Sequence, residues 1–208
     1  MLGNESTDWR ADRRAAASEA IVGAAWELAR EHGLGGLSLR DLARKLGMAT
    51  PSLYSYFDSK HALYDAMYAD GWRAFIAFDP LTQAPADLRD AIYVGMDRWL
   101  RFSLADPVRF QLLSLRTIPG FEPSPASYAV AQQAYDASFA HLDDFALSQE
   151  HKDLITALAS GLLNQQLANE PGGTRWVRLL DTAVRLVATW IADTLPKPKT
   201  RPRRKATS

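Results

Sequence analysis

Pro51, Ser52 and Ser55 fall within five residues, flanked by Tyr54 and Tyr56, with Arg40 and Arg44 before them and Lys60 after. Hydroxyls in such a cluster can bond base edges or phosphates, and the cations can neutralise phosphate. If residues 51–57 form one short helix, Leu53 and Phe57 stand at i, i+4 and point inward, against Leu42 and Leu46. The opposite side then presents Pro51, Ser52 and Ser55. A face this small and rich in hydroxyls can enter the roughly 12 Å major groove of a duplex. Arg40 and Arg44, also i, i+4, would project where the preceding helix crosses the backbone, and Lys60 could clamp another phosphate. The same spacing also describes a generic helical hairpin with ordinary surface hydroxyls.

Other chemistries find less support. The chain has 208 residues and no cysteine, so disulfides, thiolate zinc sites, iron–sulfur clusters and cysteine nucleophiles are excluded. His141 with Asp143 and Asp144, and His151 with Asp153, are the nearest approach to metal ligands, but neither has the i, i+4 pairing of a helical zinc site. The Gly33-Leu-Gly-Gly run lacks the context of a nucleotide loop, and neither a phosphate-loop lysine signature nor a Gly-x-Ser-x-Gly elbow is present. The expectation is a protein that is not an enzyme and carries no metal or cofactor.

The elements that position the cluster follow from local signals. Ile21, Val22, Ala25, Leu28 and Ala29 share one helix face, and Gly33 is placed as its C-terminal cap. Ser38 caps a second helix, with Asp41 as a capping-box acid, and the helix ends at Leu46 before a tight turn at Gly47. Thr50 caps a third short helix, with Pro51 at its first position. Two short helices joined by a glycine-containing turn are a helix-turn-helix. Prolines then divide the remainder into helices near 59–78, 86–104, 107–117, 125–146, 151–169 and 174–194, with a loop at 118–125 and no strand pattern.

The net charge of zero hides a gradient. Residues 1–60 hold 8 basic and 8 acidic side chains, residues 61–195 hold 10 and 16, and residues 196–208 hold 6 basic and none acidic. An acidic middle suits a domain held away from nucleic acid. The basic end reads as a disordered, solubilising tail. Trp9, Arg10, Arg13 and Arg14 precede the first patterned helix. Residues 1–13 read as a disordered arm, the alternative being an arm that lies along a groove. The longest apolar stretch, Leu154–Leu163, is too short to span a bilayer, which needs about 18 residues, and the first 30 residues contain no signal-peptide core. A cytoplasmic protein is expected.

Residues 14–68 resemble the DNA-binding domain of tetracycline-repressor-like (TetR) regulators. The likeness is carried by Gly-Leu-x-Gly-Leu-Ser-x-Arg at Gly33–Arg40, Leu-Ala-x-x-Leu-Gly at Leu42–Gly47, and Pro-x-Leu-Tyr-x-Tyr-Phe-x-x-Lys-x-x-Leu at Pro51–Leu63. It implies an all-α chain, with a three-helix DNA-binding domain at 14–60 and a helical ligand-binding and dimerisation domain at 61–195. By the same likeness Arg40, Ala49, Thr50, Pro51, Ser52, Tyr54, Ser55, Tyr56 and Lys60 contact DNA. It further implies a homodimer paired through residues 151–194, a palindromic operator in double-stranded DNA, and release by an unknown small-molecule effector. Trp72, Phe75, Trp99, Phe102, Phe110, Tyr128 and Gln165 are the candidate effector contacts, although aromatics at helical spacing also describe plain core. The alternative function is a helical DNA-binding or partner-binding protein without ligand response.

Overall fold

The computed structural model describes residues 5–80 and 85–195, with the side chains of 5–8 left aside. The basic tail at 196–208 and the first residues of the expected arm lie outside the described residues. Among the described residues the chain is all-helical: α1 (Glu5–Gly36), α2 (Leu39–Lys45), α3 (Thr50–Tyr54), α4 (Lys60–Ala77), α5 (Leu88–Ala105), α6 (Pro107–Ser114), α7 (Pro125–Phe139), α8 (Gln149–Asn169) and α9 (Leu180–Thr194). Short 3-10 turns occupy Ala140–Phe145 and Val177–Leu179.

One expectation about α1 changes. The arm predicted to be disordered is helical from Glu5 onward. Ala11 and the run Ala15–Ala17 are the strongest helix formers, so local propensity carries the helix ahead of any packing. Gly33 leaves the helical conformation, with φ 74° and ψ 162°, and so ends the main run of α1 as its position predicts, ahead of a short turn that reaches Gly36.

The chain packs as two compact units, one from residues 1–82 and 98–140, the other from 83–97 and 141–208. Just past the boundary expected at 60/61, Leu63, Tyr64 and Met67 of α4 complete the core made by Ile21, Ala25 and Leu28 of α1, Leu42 of α2 and Leu53 of α3.

In the first unit α7 packs along α4. Asp65 fixes the start of α7, accepting from Ser124 N (2.6 Å), Ser124 Oγ (2.8 Å) and Ser127 Oγ (2.8 Å). Asp106 caps α6 by accepting from Arg109 N at 3.1 Å, and also accepts from Arg30 Nε and Nη2 at 3.0 and 2.7 Å. The Trp26 indole donates to Asp70 Oδ2 at 2.8 Å. Together these bonds tie α1 to α4 and α6. Arg98 closes the end of α4: it is buried and donates to the carbonyls of Phe75, Ile76 and Phe78. Burial pulls its guanidinium below the ordinary arginine value.

In the second unit α8 packs on α9. Ser148 caps α8 in a reciprocal box with His151: Ser148 Oγ accepts from His151 N, and His151 Nδ1 accepts from Ser148 N. His151 Nε2 lies 3.0 Å from Thr194 Oγ1 at the end of α9. His141 Nε2 lies 2.8 Å from the Ala91 carbonyl. Both histidines of the nearest metal-like clusters thus have structural partners. Among the described residues no three His, Asp or Glu side chains gather as metal ligands would. None of the described helices is long and apolar enough to cross a membrane.

Asp106→Ala removes the α6 cap and leaves Arg30 without its carboxylate. Arg30 is 42% exposed, which discounts the ionic part. The expected loss is about 1–3 kcal/mol in urea unfolding with an unchanged m-value. An unaltered midpoint would show that these contacts add no stability.

Candidate functional site

The helix-turn-helix forms largely as its residues dictate. Ser38 caps α2, its Oγ accepting from Asp41 N at 3.4 Å. The Asp41 carboxylate does not complete a capping box but pairs with Arg44 at 2.9 Å, one turn further on. Leu46 ends α2, and Gly47 turns the chain at φ 64°, a left-handed conformation in which a β-carbon is strained. Met48 N then bonds back to the Ala43 carbonyl at 2.9 Å.

The cap of α3 differs from expectation. Thr50 is already helical, and Ala49 is the cap, without a side-chain bond. The turn after Gly47 is short enough that the first carbonyl accepted into the helix is Ala49's, from Ser52 N at 2.9 Å. Pro51 still sits in the first turn, where its missing N–H has no partner to lose.

Leu53 is fully buried and Phe57 nearly so, as their i, i+4 spacing requires. That anchor leaves Arg40, Ala49, Pro51, Ser52, Tyr54 and Ser55 exposed, and Thr50, Tyr56 and Lys60 half-buried. Two of the polar groups are already engaged: Ser55 Oγ donates to the Ser52 carbonyl at 2.7 Å, and Lys60 Nζ donates to the Gly35 carbonyl at 3.0 Å. Lys60 therefore holds the end of α1 while lying 5.4 Å from the Tyr64 ring centroid. Tyr64 contributes a second bond there, donating to the Leu34 carbonyl.

Arg14 escaped the sequence reading as a partner of α3. Its Nη2 donates to the Ser55 carbonyl at 2.6 Å, and its guanidinium lies 5.0 Å from the Tyr56 ring centroid. The two residues are 41 positions apart, so no local spacing signals the contact. The remaining cation of this region, Lys45, faces α1, 3.1 Å from Glu27 and 3.5 Å from Glu31. The bond to Glu27 is the main reason its ammonium is held above the ordinary lysine value.

Five of the seven candidate effector residues lie together in the first unit. Trp72, Phe75, Trp99, Phe102 and Phe110 pack on one another: Trp72 and Trp99 stack at 5.7 Å and 8°, and Phe75 meets Trp99 edge-on at 5.1 Å. Phe75, Phe102 and Phe110 are buried, and Trp72 and Trp99 are half-buried. Gln165 is an exposed residue of α8, in the other unit, accepting from Asn169 Nδ2 at 2.8 Å. Tyr128 lines a cavity of about 350 Å³, with Tyr68, Leu112, Leu113, Ser114, Ile118 and Phe121 among its other walls. Its mixed walls and size suit a small organic molecule. Burial raises the Tyr68 phenol above its ordinary pKa, so it stays protonated and able to donate. Arg116 and Glu122 stand at the exposed edge, 3.8 Å apart. Phe121 also touches α4, its ring centroid 5.8 Å from Tyr64 and 6.1 Å from His61.

Residues 21–67, from α1 into α4, match the family model of bacterial regulatory proteins, tetR family. The chain is 29% identical over 155 residues to the tetracycline repressor protein class D of Escherichia coli, covering 66% of this chain and 69% of that one. It is 31% identical over 140 residues to the HTH-type transcriptional regulator Rv1816 of Mycobacterium tuberculosis, covering 62% and 59%. A TetR variant of Acinetobacter baumannii AYE, crystallised in complex with minocycline, superposes with TM-score 0.60 at 19% identity, over 84% of this chain and 96% of that one, which shows a shared fold. Residues 21–67 thus carry the DNA-binding domain of the tetR family of bacterial regulatory proteins, and the relatives that resemble the chain over about two thirds of its length are transcriptional regulators.

Proposed function

We propose that the protein is a homodimeric repressor that reads a palindromic operator with α3 of each subunit and is released by a small molecule bound in the Tyr68–Tyr128 cavity. The observation that carries this reading is the division of α3: Leu53 is fully buried, while Ala49, Pro51, Ser52, Tyr54 and Ser55 stand exposed around it. A helix anchored on one side and small and polar on the other is fit to enter a major groove. Arg40, Thr50, Tyr56 and Lys60 border that face and supply contacts to phosphate or bases. No arginine lies on α3, so discrimination by each half-site is modest, and two-fold symmetry multiplies it. DNA as the partner makes the cytoplasm the place of action.

Pairing through residues 151–194 is supported by the outer faces of α8 and α9. Leu186 is 65% exposed, and at Gly161 of α8 an added β-carbon would meet nothing within 4 Å. Apolar and small exposed residues on two adjacent helices suit close packing against a second copy.

Release by an effector is supported by the cavity and by the minocycline complex of the related TetR variant. A ligand against Phe121 acts on Tyr64, which holds the Leu34 carbonyl at the end of α1. If its affinity differs between two settings of α4, the ligand shifts the population between them.

Full-length protein incubated with a random duplex pool is expected to enrich a two-fold-symmetric site; enrichment of no symmetric sequence would sink the operator reading. On that site Tyr54→Ala lowers affinity by about 1–3 kcal/mol, with an unchanged thermal midpoint because Tyr54 is 49% exposed. Leu53→Ala, by contrast, lowers stability itself by about 2–5 kcal/mol. Ser114→Trp fills the cavity from its exposed side. In fluorescence anisotropy it should keep operator affinity while blunting release by compounds that displace the unaltered protein. Undiminished release by those compounds would place the effector elsewhere.

A further inference from the structure

The start of α1 stands ahead of every core. Ile21 is the first buried residue of the helix, and residues 9–16 are all exposed. Folding alone asks for nothing here beyond helix propensity, yet the side chains are sorted. At about 100° per residue, Arg10, Arg13 and Arg14 fall within one narrow arc, Trp9 borders it, and Asp12 lies on the far side. The Arg13 and Arg10 guanidinium groups lie 5.2 and 5.8 Å from the Trp9 ring centroid. Arg14, on the same arc, is turned onto the end of α3 through Ser55 and Tyr56. The exposed arginine edge is therefore continuous with the helix that reads the groove.

The disposition of charge singles out the same edge. Residues 1–60 carry eight basic side chains. Arg30 is held by Asp106, Arg44 by Asp41, and Lys45 by Glu27 and Glu31. Lys60 is drawn to the Gly35 carbonyl. That carbonyl carries no charge, so Arg10, Arg13, Arg14, Arg40 and Lys60 are the cations for which no ion pair is seen among the described residues. A DNA-binding head with no net charge must concentrate its phosphate contacts where cations are not neutralised, and three of these five lie at the start of α1.

We propose that the exposed start of α1 is a second DNA-contact surface. Arg10 and Arg13 neutralise backbone phosphates beside the bases read by α3, and Arg14 fixes this surface to α3. The inference rests on the regulator reading above and adds a contact that the helix-turn-helix does not contain. These contacts strengthen binding and lengthen the footprint without reading sequence.

The test uses the full chain and the duplex that it enriches from a random pool, with affinity measured across a salt series. Arg10→Ala with Arg13→Ala should lower the slope of log K against log salt by about 1.8, or 0.9 for each phosphate no longer neutralised. The enriched sequence should stay the same, and helical content should hold because alanine is the better helix former. Lysine at both positions should restore the slope. Trimming the duplex flanks should weaken the unaltered protein and leave the double alanine variant indifferent. An unchanged slope in the double alanine variant overturns the proposal while leaving the regulator reading in place. Retention of no duplex by the unaltered protein overturns both.

Discussion

One helix is buried along its length by two different sets of partners, and the first unit depends on it. The first turns of α4 put Leu63, Tyr64 and Met67 into the core of α1, α2 and α3. Its later turns put Tyr68 and Phe75 into a cluster with Phe102, Leu113 and Ala134. Each fully buried side chain of this size contributes about 1.5–3 kcal/mol, so neither half of α4 can shift without cost to the other. Gly71 lies where the helix meets α6, and a β-carbon there would come within 2.9 Å of Leu113. Ser59 caps the start of α4 by accepting from Ala62 N at 3.0 Å, and Arg98 closes its end.

The electrostatics of the helix-turn-helix are set more by neutralisation than by the number of charges. Exposed pairs such as Arg44–Asp41 and Lys45–Glu27 stabilise the fold by about 0–1 kcal/mol. Their larger effect is to remove cations from the field that a polyanion meets. Arg40 is exposed and outside any such pair among the described residues. The exposed side of α3 carries no charged side chain, so under the proposed operator reading discrimination falls to hydroxyl and tyrosine contacts.

The aromatic residues divide by shape as well as by number. Trp72, Phe75, Trp99 and Phe102 stack and meet edge to face, an arrangement that gains energy beyond area burial. A cavity lies beside the α6–α7 connection, where Gly120 turns the backbone at φ 70°. Aliphatic residues of α6 and the tyrosines of α4 and α7 meet there without closing.

The sequence by itself determined whatever is decided within one or two turns of chain. Ser38 as a cap, the turn at Gly47, and the inward pair Leu53 and Phe57 all rest on contacts between residues a few positions apart. The helices after α4 follow for the same reason, since proline breaks a ladder locally. Local propensity also makes the start of α1 helical, a signal present in its alanines even where the polar composition suggests disorder. Tertiary structure decided the pairings across long separations: Arg14 with Ser55, Lys60 with Gly35, Arg30 with Asp106, and Arg98 with the end of α4. It decided as well which aromatics fill space and which border it. Helical spacing says that a side chain faces inward; only the neighbouring helices fix whether it meets another ring or an opening.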